Sequence, residues 1–179
     1  MKAARLTWLL LLIAGLVWIN ATRVQDATLF GPPGQRPPSP QVGFPAPDFS
    51  LSRLDGQSVR LADWHGQPVV LNFWATWCPP CRAEMPALQA AAQAYGDQGV
   101  RVLGVNQAEE ANQVAGFMQT LGLDFPVLLD RDAAVSQLYR VRSLPTTFFI
   151  DREGVIREII IGGPMSQALL ASKMESLLK

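Results

Sequence analysis

The stretch Val69–Pro86, VVLNFWATWCPPCRAEMP, decides how the rest of the chain is read. Val69, Val70, Leu71, Phe73 and Trp74 form an apolar, partly β-branched run of buried-strand length, which breaks at Ala75-Thr76-Trp77 into Cys78-Pro79-Pro80-Cys81. Beyond Cys81 the apolar period changes: Met85, Leu88, Ala92 and Tyr95 fall on one face of a helix expected over Pro80–Tyr95. Pro86 lies inside it and is expected to kink it, because a proline there leaves one backbone hydrogen bond unmade. The pattern predicts a strand that delivers two cysteines to the start of a helix.

That placement has chemical consequences. Unpaired N–H groups and the positive end of the helix dipole stabilise an anion, so the Cys78 thiolate is favoured over the thiol. In Cys-x-x-Cys sites the thiol pKa falls from about 8.5 to roughly 3.5–7.5, which makes an exposed Cys78 a good attacking group near neutral pH. Cys81, one turn on, is placed to attack a mixed disulfide formed at Cys78, releasing the partner reduced and leaving an intramolecular Cys78–Cys81 disulfide. A zinc site needs about four ligands, and two cysteines with one histidine do not supply them.

Outward from this stretch the chain falls into three parts. Lys2 and Arg5 precede an apolar segment, Leu6–Ile19, that ends before Asn20 and Arg23. Leu6 to Ala21 as a helix spans about 24 Å, a little short of a hydrocarbon core of roughly 30 Å, with Trp8 and Trp18 as interfacial anchors. No small-x-small cleavage site follows, which favours a retained signal anchor over residues 1–23 against a cleaved signal peptide. The positive flank keeps the N-terminus in the cytoplasm and sends the remainder outward. Residues 24–45 are rich in proline, including Pro32, Pro33, Pro37, Pro38, Pro40 and Pro45, and read as a semi-rigid spacer. Residues 46–179 then form one domain, large enough to fold around its own core without a staple.

Within that domain Phe49–Leu51 and Val59–Leu61 predict a hairpin turning at Asp55-Gly56, and Val69–Trp74, the cysteine helix and Arg101–Val105 predict a parallel βαβ unit. A helix over Glu109–Leu121, a short strand at Val127–Leu129 and a helix over Asp132–Tyr139 capped by Asp132 follow. Thr146–Ile150 and Val155–Ile161 read as a hairpin, and Leu169, Leu170, Met174, Leu177 and Leu178 as a closing amphipathic helix. Formal net charge is zero and no basic run occurs, which argues against a nucleic-acid partner.

FWATWCPPC followed by Arg82-Ala83-Glu84-Met85-Pro86 resembles thioredoxin-fold proteins, and among them the membrane-anchored TlpA/ResA/CcmG-type oxidoreductases associated with cytochrome c maturation. Ala46–Leu51, Leu54-Asp55-Gly56, Trp64–Pro68, Phe125-Pro126-Val127 and Leu144–Phe148 resemble the same family in order and spacing, from about residue 43 to the C-terminus. The resemblance implies an α/β thioredoxin fold, a central mixed sheet flanked by helices, with an N-terminal hairpin and a helix-strand insert over the Glu109–Leu129 segment. It implies a cis Leu144–Pro145 bond beside the cysteines, although trans is the commoner state of such bonds. Leu144 and Pro145 would then wall the substrate site and pair main chain to main chain with an extended substrate. Trp77 and Pro79 border the same site, Trp77 as an exposed contact and Pro79 as a stiffener of the turn, whereas Trp74 reads as core.

Glu84 by itself reads as a solvated first-turn carboxylate. Thioredoxin carries a buried aspartate six residues before its first cysteine, and here that position is Asn72, which takes no proton. The matching family has an acidic residue at the Glu84 position, so the resemblance makes Glu84 the proton acceptor for Cys81. Arg82 faces solvent or supports the thiolate, and His65 is structural.

The function implied is an extracytoplasmic thiol–disulfide oxidoreductase that reduces protein disulfides of the apocytochrome c type, recharged by a transmembrane thiol electron donor. It needs no cofactor beyond its own redox-active disulfide and acts as a monomer. A disulfide-forming oxidase or isomerase of the same fold is the alternative. A peroxiredoxin-type peroxidase requires threonine three residues before the reactive cysteine, where Ala75 stands, and a Sco-type copper carrier requires a Cys-x-x-x-Cys spacing and a distal histidine.

Overall fold

The computed structural model describes residues 36–179 and, from the N-terminal segment, Trp18 alone. The expected membrane anchor and the first half of the proline-rich stretch otherwise lie outside the described residues. Among the described residues no helix is long and apolar enough to cross a membrane.

Residues 37–179 form one compact unit. In chain order its elements are β1 (Ser50–Arg53), β2 (Ser58–Arg60), a 3-10 turn (Leu61–Trp64), β3 (Val69–Trp74), α1 (Pro79–Gly96), β4 (Arg101–Gln107), α2 (Ala111–Thr120), β5 (Val127–Asp130), α3 (Ala134–Leu138), β6 (Thr146–Ile150), β7 (Ile156–Ile161) and α4 (Gln167–Leu178). The seven strands form one sheet in the order β2-β1-β5-β4-β3-β6-β7. β3, β4 and β5 run parallel, and the remaining neighbours pair antiparallel. This is the expected mixed sheet: α2 and β5 are the insert, and the β1–β2 hairpin extends the sheet from β5.

All six residues of β3 are buried because the sheet is covered on both faces, which is why the strand reads as an unbroken apolar run. Its period of two divides them. Val70 and Trp74 join a core with Met85 and Leu88 of α1, Val114 and Met118 of α2, and Leu170 and Met174 of α4. Val69, Leu71 and Phe73 join a second core on the other face. There Tyr139 stands among Phe73, Phe148 and Phe49 with ring centroids 5.3, 5.0 and 5.8 Å away, and its hydroxyl donates to the Pro47 carbonyl at 2.7 Å. Burying each such side chain contributes about 1.5–3 kcal/mol.

Two helix starts differ from expectation. α3 begins at Ala134 rather than Asp132, and its cap position is Ala133, whose φ of 55° is left-handed. Its free N–H groups are taken from further back: Asp130 accepts from the Val135 and Ser136 amides at 3.0 and 2.7 Å, while Asp132 accepts only from Ala134. α2 begins at Ala111, so Glu109 lies outside it. The cause is Ala108, with φ 57°, which turns the chain at the end of β4 before the helix can form.

Candidate functional site

α1 starts at Pro79 and runs through Pro86 as one element. Cys78 is its cap residue in an extended conformation, and Pro79 and Pro80 occupy the first two helical positions, where a missing N–H costs nothing. The Cys81 amide donates to Cys78 Sγ at 3.3 Å, so one of the free donors of the helix start is directed at that sulfur. Cys78 and Cys81 are joined in a disulfide with Cα atoms 5.3 Å apart. Cys78 is 3% exposed, not the open thiol the sequence suggests, because both cysteines belong to the core cluster that holds Trp74, Ala75 and Met85. Trp77 is 67% exposed and Pro79 is exposed, while Trp74 is core as expected.

Glu84 is not solvated. It is 0% exposed, on the face of α1 that meets Asn72 of β3. Asn72 Nδ2 donates to its Oε1 at 2.8 Å and to Thr147 Oγ1 at 2.9 Å, and the Met165 amide donates to its Oε2 at 3.0 Å. Burial pushes the Glu84 carboxyl above the usual carboxylate range, partly offset by the Met165 and Asn72 hydrogen bonds. Asn72, which takes no proton itself, thus holds a carboxyl whose pKa burial raises.

The Leu144–Pro145 bond is cis, as is Gly163–Pro164. Leu144 is half-buried against both cores and Pro145 is buried. Gly163 joins this loop to Glu84: a Cβ there would lie 2.7 Å from Glu84 Oε2 and 2.8 Å from Pro145 Cγ, so only glycine fits between them. Arg82 is exposed, with its guanidinium 5.5 Å above the Phe117 ring of α2. His65 is exposed, before the start of β3 and so at the opposite end of that strand from the cysteines.

The structure adds residues that the sequence pattern did not mark. Gly163 and the Met165 amide border Glu84, and their only sequence signal is the Gly162-Gly163-Pro164 break after β7. A second polar cluster, buried Thr76, Asn106 and Glu109 with the exposed Gln113 over them, involves the segment just ahead of Cys78.

Against known proteins, the model of the AhpC/TSA family matches residues 42–159. The chain belongs to the AhpC/TSA family. The thiol-disulfide oxidoreductase ResA of Geobacillus thermodenitrificans is 44% identical over 136 residues, covering 76% of this chain and 78% of that one. ResA of Bacillus subtilis is 39% identical over 132 residues, covering 74% and 73%. A solved thiol:disulfide interchange protein of the thioredoxin family from Chlorobium tepidum superposes with a TM-score of 0.67 at 30% identity, over 80% of this chain and 98% of that one. This AhpC/TSA member is a thiol–disulfide oxidoreductase on a thioredoxin fold, and its Cys78 and Cys81 are joined in a disulfide. Its buried Ala75 stands where a family peroxidase needs threonine.

Proposed function

We propose that this oxidoreductase reduces protein disulfides on the outer side of a membrane, held there as a monomer by residues 1–23 and spaced from it by the proline-rich stretch. The Cys78 thiolate attacks a substrate disulfide, forming a Cys78–substrate disulfide and releasing one substrate thiolate. The Glu84 carboxylate takes the proton of the Cys81 thiol, and the Cys81 thiolate attacks Cys78 Sγ. The second substrate thiolate leaves, Cys78 and Cys81 are joined, and two electrons have passed to the substrate. Glu84 returns its proton to the departing thiolate or to water. A transmembrane dithiol donor reduces the pair again, and no cofactor is required.

Trp77, Pro79, Leu144 and Pro145 receive the substrate as an extended segment, of which the Cys-x-x-Cys of apocytochrome c is the chemical type. The observation that carries this reading is the burial of Glu84 on the helix of the redox pair, held by Asn72 and the Met165 loop. It supports the assignment of Glu84 as the proton acceptor for the second cysteine. The test of direction is the reduction potential of the Cys78–Cys81 pair, from equilibration against a thiol buffer of known poise. A value near that of thioredoxin, about −270 mV, is expected for a reductant; one near −120 mV would reassign the protein to disulfide formation.

A further inference from the structure

The buried carboxylate of Glu109 has no part in the steps above, yet it is tied to the segment that carries them. Its Oε2 accepts from the Thr76 amide and from Asn106 Nδ2, both at 2.7 Å. Its Oε1 accepts from the Thr76 hydroxyl and from Gln113 Nε2, the latter at 2.6 Å, and Gln113 Nε2 also reaches Thr76 Oγ1 at 2.9 Å. Both polar groups of Thr76 that can donate are therefore held by one side chain. Thr76 precedes the exposed Trp77 and stands two residues before Cys78.

The chain is shaped to bring this carboxylate back. Ala108, immediately before it, has a left-handed φ of 57°, and its amide donates to the Asp130 carbonyl of β5 at 2.9 Å. A non-glycine residue persists in that region when its surroundings hold it there. Glu109, Gln113 and Phe117 recur every four residues. The first two grip Thr76, while Phe117 packs on Trp74 with centroids 5.3 Å apart and lies beneath the Arg82 guanidinium. The insert that carries α2 thus contacts both the loop ahead of Cys78 and the helix behind it.

We infer that Glu109 is a positioning residue for thiol–disulfide exchange: together with Gln113 it locks Thr76, and through it Trp77 and Cys78, in the geometry that receives a protein disulfide. This rests on Cys78 being the attacking thiol. Exchange needs the attacking sulfur in line with the bond it breaks and the substrate chain held beside it, and a loop fixed in advance avoids ordering that geometry in each encounter.

The test compares the full chain with its Glu109→Gln and Gln113→Ala variants in the reduction of insulin disulfides and in alkylation of the reduced protein by iodoacetamide. For Glu109→Gln, kcat/KM is expected to fall about tenfold, mainly through KM, as for loss of a hydrogen bond to a charged acceptor. Gln113→Ala, which leaves the carboxylate on Thr76, is expected to lose about threefold. Iodoacetamide needs no docking, so the pH profile of Cys78 alkylation is expected to stay in place while near-UV dichroism reports a folded domain. Unchanged kcat/KM in folded variants overturns the inference, as does an alkylation profile displaced in step with kcat/KM, since Glu109 would then act on the thiol's ionisation. If Glu109→Gln fails to fold, Gln113→Ala decides alone. Wild-type protein alkylated at Cys81 in place of Cys78 would refute the attacking-thiol assignment instead, leaving a distinct signature.

Discussion

Two buried glutamates follow the cysteine pair in sequence, and they are supplied differently. Glu84 accepts two hydrogen bonds, from Asn72 and the Met165 amide, whereas Glu109 accepts four, two of them from Thr76. A carboxylate has about four acceptor positions, so Glu84 is left short of partners while Glu109 is filled. Burial therefore prescribes no role by itself; the number of donors does. The under-supplied group, with its pKa raised by burial, is suited to exchange a proton, and the filled one is suited to hold a loop.

The strongest way to break this comparison is Glu84→Gln. Removing a proton acceptor is expected to slow attack by Cys81 about a hundredfold, seen as accumulation of the Cys78–substrate disulfide in acid-quenched reactions. If that species does not accumulate, Glu84 and Glu109 do not divide the work as described. The same variant has a pH signature. Because burial raises the folded-state pKa of Glu84 above its unfolded value, the stability this group contributes is fully present below the unfolded pKa and is lost as pH rises through the folded one. Glutamine has no such loss, so urea unfolding is expected to favour the variant over wild type progressively as pH rises above the ordinary carboxylate range.

Gly163→Ala sharpens the comparison from the steric side. Its Cβ would crowd Glu84 Oε2 and the Pro145 ring, and overpacking of this kind costs about 1–3 kcal/mol. The urea midpoint measures it, and an unchanged midpoint would mean that the loop yields freely and does not hold Glu84. The smallest effect belongs to Trp77→Ala, about a threefold rise in KM for a protein disulfide from the lost apolar contact. Combined with Glu109→Gln, the two losses are expected to be less than additive, since both act on the same segment.

The features that could be read from sequence were those with a local period. β3, α1 and the two hairpins follow from apolar spacing and Asp-Gly or Glu-Gly turns, and the cysteines' place at a helix start follows from β3 and α1. Contacts between distant residues could not be read that way. Glu84 looks solvated until Met165, 81 residues later, closes over it. Glu109 looks like the first residue of a helix until the left-handed Ala108 turns it away, and Asp132 looks like a cap that Asp130 in fact supplies. In each case the deciding partner lies outside the local spacing from which the sequence is read.

The proline-rich stretch ends against the sheet. Pro45 bridges Val155, the Gly43 amide donates to the Ile156 carbonyl at 2.8 Å, and the Ile156 amide donates to the Phe44 carbonyl at 2.9 Å. This short row lies along the outer side of β7, whose edge would otherwise be open to any passing strand. Arg157 and Glu158 add charge to the strand further along, and Pro40, with no N–H to offer, lies beside Ile159 and Ile161. The chain leading into the domain thus occupies backbone groups at the start of β7 that would otherwise be open to another strand.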